Sequence, residues 1–161
     1  MTQSELSYNI CDSNIKLSDR IKTLDKPGRD KFKQLCNKLG YIYSEPANEK
    51  LAYDAMISYK GKNYVIEIKN RSLDCEKYDT LFLEQDKYYR VQAWKDRLNA
   101  DGAYYVNWIG DTAYIFNLDD EQTTKTLEKK WMNSVTAKSR TQKIQKNVYI
   151  INKDLATVYN L

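Results

Sequence analysis

Residues 51–71 read LAYDAMISYKGKNYVIEIKNR. Leu51 to Ser58 and Asn63 to Lys69 have the composition of two β-strands, joined by Tyr59-Lys60-Gly61-Lys62. A two-residue turn at Lys60-Gly61 pairs Tyr59 with Lys62, and a four-residue turn pairs Ser58 with Asn63. Either turn sets Asp54 directly opposite Glu67. Side chains alternate faces along a strand, so Glu67 and Lys69 point one way while Tyr64, Ile66 and Ile68 point the other. Two carboxylates facing each other across a hairpin, with Cβ atoms roughly 5 Å apart, destabilise a sheet. A divalent cation between them reverses the sign of that interaction, and hard oxygen ligands suit Mg²⁺. The alternative is a solvent-facing polar stripe in which Lys69 neutralises one acid.

Outward from the hairpin, Phe32, Leu35, Cys36 and Leu39 have the spacing of an amphipathic helix, with Gly40 where a C-terminal cap belongs. Pro27-Gly28 reads as punctuation before it. Residues 1–26 therefore read as an N-terminal extension with a short helix near Leu17 to Leu24, and 27–161 as a single domain. Tyr41 to Tyr43 starts a strand. A second helix is expected from about Leu83 to Leu98. Ala103 to Trp108 and Thr112 to Asn117 form another hairpin, residues 119–132 a helix, and Asn147 to Asn152 a late strand. This order predicts an α/β (α+β) sandwich, with a mixed central sheet flanked by helices.

The chain has no histidine among its 161 residues, which removes Ser-His-Asp and Cys-His hydrolases and histidine–metal sites. It also lacks a GxxxxGK[ST] phosphate loop. Chemistry must come from carboxylates, lysines, tyrosines and bound ions. Cys11, Cys36 and Cys75 are too widely spaced for a disulfide framework or a zinc site. Cys36 falls on the buried helix face. The polar start MTQSELSYNICDSN, with no long apolar stretch anywhere, leads to the expectation of a soluble, cytoplasmic protein without membrane contact. Between Gln122 and Asn147 lie seven basic residues and one acid, a local excess of six that exceeds the net charge of +4. Such an arm, with Lys138, Arg140, Lys143 and Lys146 at its centre, suits a polyanion. Its alternative is a solvated loop.

Asp54, followed after twelve residues by Glu67-Ile68-Lys69, resembles the signature of the PD-(D/E)xK nuclease superfamily, whose fold is restriction-endonuclease-like. Tyr53 stands where the family has proline. Gln85 and Tyr89 look like the QxxxY motif of RecB-type members. The resemblance spans Gly28 to Asn107, and its order of helix, three-strand meander, helix and strand matches the one read above. It implies that Asp54, Glu67 and the main-chain carbonyl of Ile68 hold Mg²⁺ or Mn²⁺. Lys69 would position the attacking water, while Gln85 and Tyr89 orient the scissile phosphate or support Lys69. Asp30 would be the helix acid near the metal-bound water. The implied activity is hydrolysis of nucleic acid, DNA ahead of RNA, in repair, recombination or restriction, and the compact chain suits a phage gene. A homodimer is a further expectation. The alternatives are a catalytically silent nucleic-acid-binding or anti-defence protein on the same fold, or an interaction protein with an accidental polar stripe.

Overall fold

A computed structural model describes residues 17–47, 53–133 and 142–161. Helix α1 spans Leu17–Leu39 and contains Pro27, so the Pro27-Gly28 pair lies inside the helix instead of ahead of it. Tertiary packing accounts for the difference. A Cβ at Gly28 would stand 3.2 Å from Ile68 Cγ2 and 3.3 Å from Asn70 Cβ, so the helix lies almost directly on the third strand there. Gly40, with φ of +74°, ends α1, and the Tyr41 N–H donates back to the Cys36 carbonyl at 2.9 Å.

Strands β1 (Ile42–Ser44), β2 (Ala55–Tyr59) and β3 (Lys62–Arg71) form an antiparallel meander. Lys60 and Gly61 both have positive φ, 49° and 76°, so the hairpin uses the two-residue turn whose twist matches that of the strands. A 3-10 turn (Leu73–Lys77), β4 (Thr80–Glu84) and α2 (Gln85–Arg97) then carry the chain to β5 (Gly102–Ile109), which runs parallel to β3. Strand β6 (Thr112–Asn117) and the short β9 (Thr157–Asn160) complete a six-stranded sheet of order β1-β2-β3-β5-β6-β9. A second sheet, β4-β8-β7, is antiparallel and uses β7 (Leu127–Asn133) and β8 (Lys143–Asn152). The fold is thus a mixed α/β sandwich, and its order of helix, meander, helix and parallel strand is the expected one.

Two expected elements differ. Residues 119–132 are turns followed by a strand, not a helix. The Gln122 N–H donates to Asp120 Oδ1 and the Thr123 hydroxyl to the Asn117 carbonyl, local bonds that compete with helical ones. Leu83, expected to open α2, instead lies in β4. Leu81 and Leu83 both point into the core and are held by pairing with Ile151 and Tyr149 of β8.

Two cores flank the large sheet. Phe32, Leu35 and Cys36 of α1 pack on Ile66, Ile68 and Trp108. On the opposite face Val91 of α2, with Leu81, Leu83, Tyr149 and Ile151, packs on Val65 and Tyr105. Cys36 is fully buried, which pushes its thiol up to about 12 and leaves it inert. Among the described residues, no helix is long and apolar enough to cross a membrane.

The tight seat of Gly28 yields a prediction. Gly28→Val should overpack the α1–β3 contact and lower stability by about 1–3 kcal/mol in urea unfolding. An unchanged midpoint would mean that the helix can lift from the strand without cost.

Candidate metal centre

The regular ladder between β2 and β3 runs from Tyr59 opposite Lys62 to Ala55 opposite Ile66. One more step would set Asp54 against Glu67. Instead the Asp54 N–H donates to the Ile66 carbonyl at 3.0 Å, so Asp54 and Ala55 share one partner residue. This is a one-residue bulge, and the packing shows the phase shift it causes. Tyr53 and Met56 both belong to the α2-side core, whereas Ala55 belongs to the α1-side core. The expected direct opposition of Asp54 and Glu67 is therefore corrected by one position. Bulges commonly re-aim side chains in this way.

Beyond the bulge, β3 pairs only with β5 among the described residues, and none of them pairs with its other edge. Alternate residues of a strand present their backbone groups to the same edge. The Ile66 carbonyl faces β2, so the N–H and carbonyl of Ile68 face the open edge. Asp54 turns into that opening and accepts the Ile68 N–H at 2.8 Å through Oδ2. The carboxylate of Asp54 and the carbonyl of Ile68 thus border one gap.

Glu67 points from β3 into the α2-side layer and is only 5% exposed. Its Oε1 accepts a charged hydrogen bond from Lys87 of α2 at 2.6 Å. Glu67 holds the Lys87 ammonium above the ordinary lysine range, against the opposing effect of burial. Asp54 is pushed up to about 7, first by burial and then by the Glu67 charge, with the Ile68 N–H and Lys87 pulling the other way and Asp25 adding to the rise. Lys69 is lowered by burial and by the neighbouring cations Lys87 and Arg71. Arg71 donates to Asn107 Oδ1 at 2.7 Å, the Phe82 carbonyl at 2.6 Å and the Tyr105 hydroxyl at 2.9 Å, tying β4 to the large sheet. Glu67, Lys69, Arg71 and Lys87 line one cleft of about 310 Å³, walled by Phe82, Tyr105 and Trp131.

Glu67 and Lys69 thus share the cleft, while Asp54 stands within reach of the Glu67 charge and is bonded to the Ile68 N–H. Three other expected residues do not join them. Gln85 donates to Tyr149 Oη at 3.3 Å and accepts from Asn147 at 3.2 Å, so β8 holds it away from the cleft. Tyr89 is 57% exposed, stacked edge-on against Tyr88 and bonded at 3.4 Å to Gln85. Asp30 pairs with Lys26 at 2.6 Å on the exposed side of α1. The helix acid whose charge reaches both Asp54 and Lys69 is Asp25. It lies about 140° around the helix from Asp30. It was missed because the helix starts before the proline.

Lys87 and Arg71 were also missed. The signal for Lys87 was available, since it stands one turn before Val91, the buried residue of α2. Of the basic arm, Lys138 and Arg140 lie outside the described residues. Lys143 is exposed at the start of β8. Lys146 is not free, because it pairs with Glu84 at 3.0 Å.

Among the described residues, no three acid, histidine or cysteine side chains gather at one point. A cation here would thus rest on two carboxylates, one carbonyl and water. That all-oxygen set fits Mg²⁺ or Mn²⁺ and does not fit a soft metal.

The sequence matches no protein-family model and no curated protein. Among solved structures it is similar to Hjc, a Holliday junction resolvase from the archaeal hyperthermophile Archaeoglobus fulgidus. Identity is 19% and the TM-score 0.49, over 80% of this chain and 86% of that one.

The raised carboxyl of Asp54 has a signed consequence. Between its ordinary value of 3.8 and about 7, the unfolded chain has Asp54 ionised while the folded one keeps it protonated. Stability without metal should therefore fall as pH rises through that window. Asp54→Asn keeps an oxygen for the Ile68 N–H and removes the charge. In EDTA its melting temperature should equal wild type near pH 4 and exceed it increasingly up to pH 7, then level off. A difference independent of pH would remove the buried-charge account.

Proposed function

We propose that this protein hydrolyses phosphodiester bonds of nucleic acid, DNA ahead of RNA, with Mg²⁺ or Mn²⁺ bound by Asp54, Glu67 and the Ile68 carbonyl. The observation that supports this best is the carboxyl of Asp54, turned into the open edge of β3 and destabilised there by Glu67. The Ile68 N–H only partly offsets that cost, and a divalent cation would relieve it. The cleft beside it carries Lys69, Arg71 and Lys87 with Glu67 and Glu84, an excess of one positive charge that suits the phosphate such a metal would engage.

When bound, the metal lowers the pKa of a water and neutralises charge on the phosphate. Asp54 and Glu67 hold and orient it. Lys69 presents an ammonium to the attacking oxygen or to the charge that develops on phosphorus, where a fixed cation is worth most. Its lowered pKa reflects burial among other cations, a setting in which a nearby anionic group is strongly favoured. Lys87 occupies Glu67 in this structure, and its ammonium would turn to a phosphate oxygen if a metal took that carboxylate.

One observation favours the second reading, a catalytically silent nucleic-acid-binding protein. The Lys87–Glu67 pair already satisfies the more buried acid without any metal. One experiment tests both readings. Purified protein is incubated with labelled single-stranded, duplex and branched DNA and with RNA, in Mg²⁺, Mn²⁺ or EDTA. Cleavage should require metal and disappear in Asp54→Asn and Glu67→Gln. Lys69→Ala should lose about 10²–10³-fold in rate while retaining metal binding by calorimetry, because an ammonium is not a ligand. Binding without cleavage under every metal, in wild type and in Lys87→Met alike, would establish the silent reading instead.

A further inference from the structure

Strand β8 pairs with β4 only through Val148–Asn152, whereas β7 pairs with it from Lys143 to Tyr149. Residues 129–133 and 143–147 therefore form a two-stranded ribbon that runs past the end of β4. Helix was expected along residues 119–132, whereas the described stretches on either side of 134–141 are the two strands of a β-ribbon beside the cleft. Lys129 and Lys143 are exposed on it, and Lys130 lies over the Phe82 ring, 5.5 Å from its centroid.

Trp131 is the anomaly on this ribbon. It is 67% exposed while also walling the cleft floored by Glu67, Lys69 and Arg71. The chain's other two tryptophans are packed. Trp108 is fully buried, and Trp94 lies 5.6 Å from Tyr53 with Arg97 stacked over it. Exposing an indole opposes the hydrophobic effect, and nothing among the described residues covers this one.

We propose that Trp131 stacks on an unpaired nucleobase next to the phosphate in the cleft, making the ribbon a binding element for single-stranded nucleic acid. Lys129 and Lys143 then meet the flanking phosphates. A flat aromatic face among cations matches a strand whose bases are open, because stacking is available to any base and phosphates supply the charge. A duplex covers its base faces and offers only its backbone. The cleft of about 310 Å³ has room for roughly one nucleotide, not for a helix. The direction of the strand into the site rests on the nuclease reading, but the stacking contact does not.

The test is made in EDTA, so that binding is read without cleavage. Tryptophan emission and the anisotropy of a labelled oligothymidylate of about 12 nucleotides are followed together. A hairpin-capped duplex, poly-glutamate and heparin serve as comparisons. The single strand should quench emission, the other three should leave it nearly unchanged, and the quench should vanish in Trp131→Ala. That variant should bind the oligonucleotide about 5- to 150-fold more weakly, and Trp131→Phe should recover most of the loss. Unaltered affinity in Trp131→Ala overturns the proposal, as does equal quenching by capped duplex, poly-glutamate or heparin. Quenching together with an absence of cleavage in Mg²⁺ and Mn²⁺ would reject the nuclease reading alone. Cleavage that is indifferent to Trp131 would reject the stacking contact alone.

Discussion

A carboxylate buried on an inner strand of the larger sheet governs this structure. Glu67 lies on β3 one residue past the end of its pairing with β2 and opposite Tyr105 of β5, with its side chain in a layer otherwise filled by Val65, Leu83, Val91 and Tyr105. Leaving an ionised carboxylate there without a partner would cost several kcal/mol. The surroundings answer it with three cations, Lys69, Arg71 and Lys87, drawn from two different elements. That answer brings its own problem, since the cations repel one another and Lys69 is depressed by the other two. Such a cluster holds together best when a further charged species enters it.

Much of this was readable in advance, for identifiable reasons. The hairpin was legible because alternation and a Lys-Gly turn fix register locally, without help from distant parts of the chain. The bulge at Asp54 was not. It depends on Tyr53 finding the α2-side core together with Met56, which pairing alone does not dictate. The same limit explains Gln85. It stands one turn from Tyr89, yet that stripe of α2 meets β8, whose pairing with β4 no local pattern in the sequence signals. Strand β7 was lost because its residues are exposed and helix-friendly in composition, so only pairing with β8 makes them a strand. Asp25 was lost to Pro27. A proline is a fair boundary signal, but contact between Gly28 and β3 outweighs it here.

The site is also divided between scaffolds of different solidity. Asp54, Glu67, Ile68 and Lys69 are separated by a two-residue turn and belong to one hairpin, so their mutual geometry needs little else. Lys87 comes from α2, Arg71 is pinned by β4, and Trp131 stands on a ribbon that β4 leaves unsupported. The acids of the candidate site thus share one hairpin, whereas the cations and the exposed indole around them come partly from other elements.

The bulge at Asp54 bears on how such a centre could arise. An uninterrupted ladder would carry β2 on past Ala55, cover the backbone of Ile68, and leave an ordinary antiparallel sheet. One surplus residue stops the pairing and exposes the edge. Whether that edge is paired or open is therefore a matter of chain length, on top of which the bordering side chains act. A single-codon insertion could open it, and a single-codon deletion could silence it while every acidic and basic residue remained in the gene.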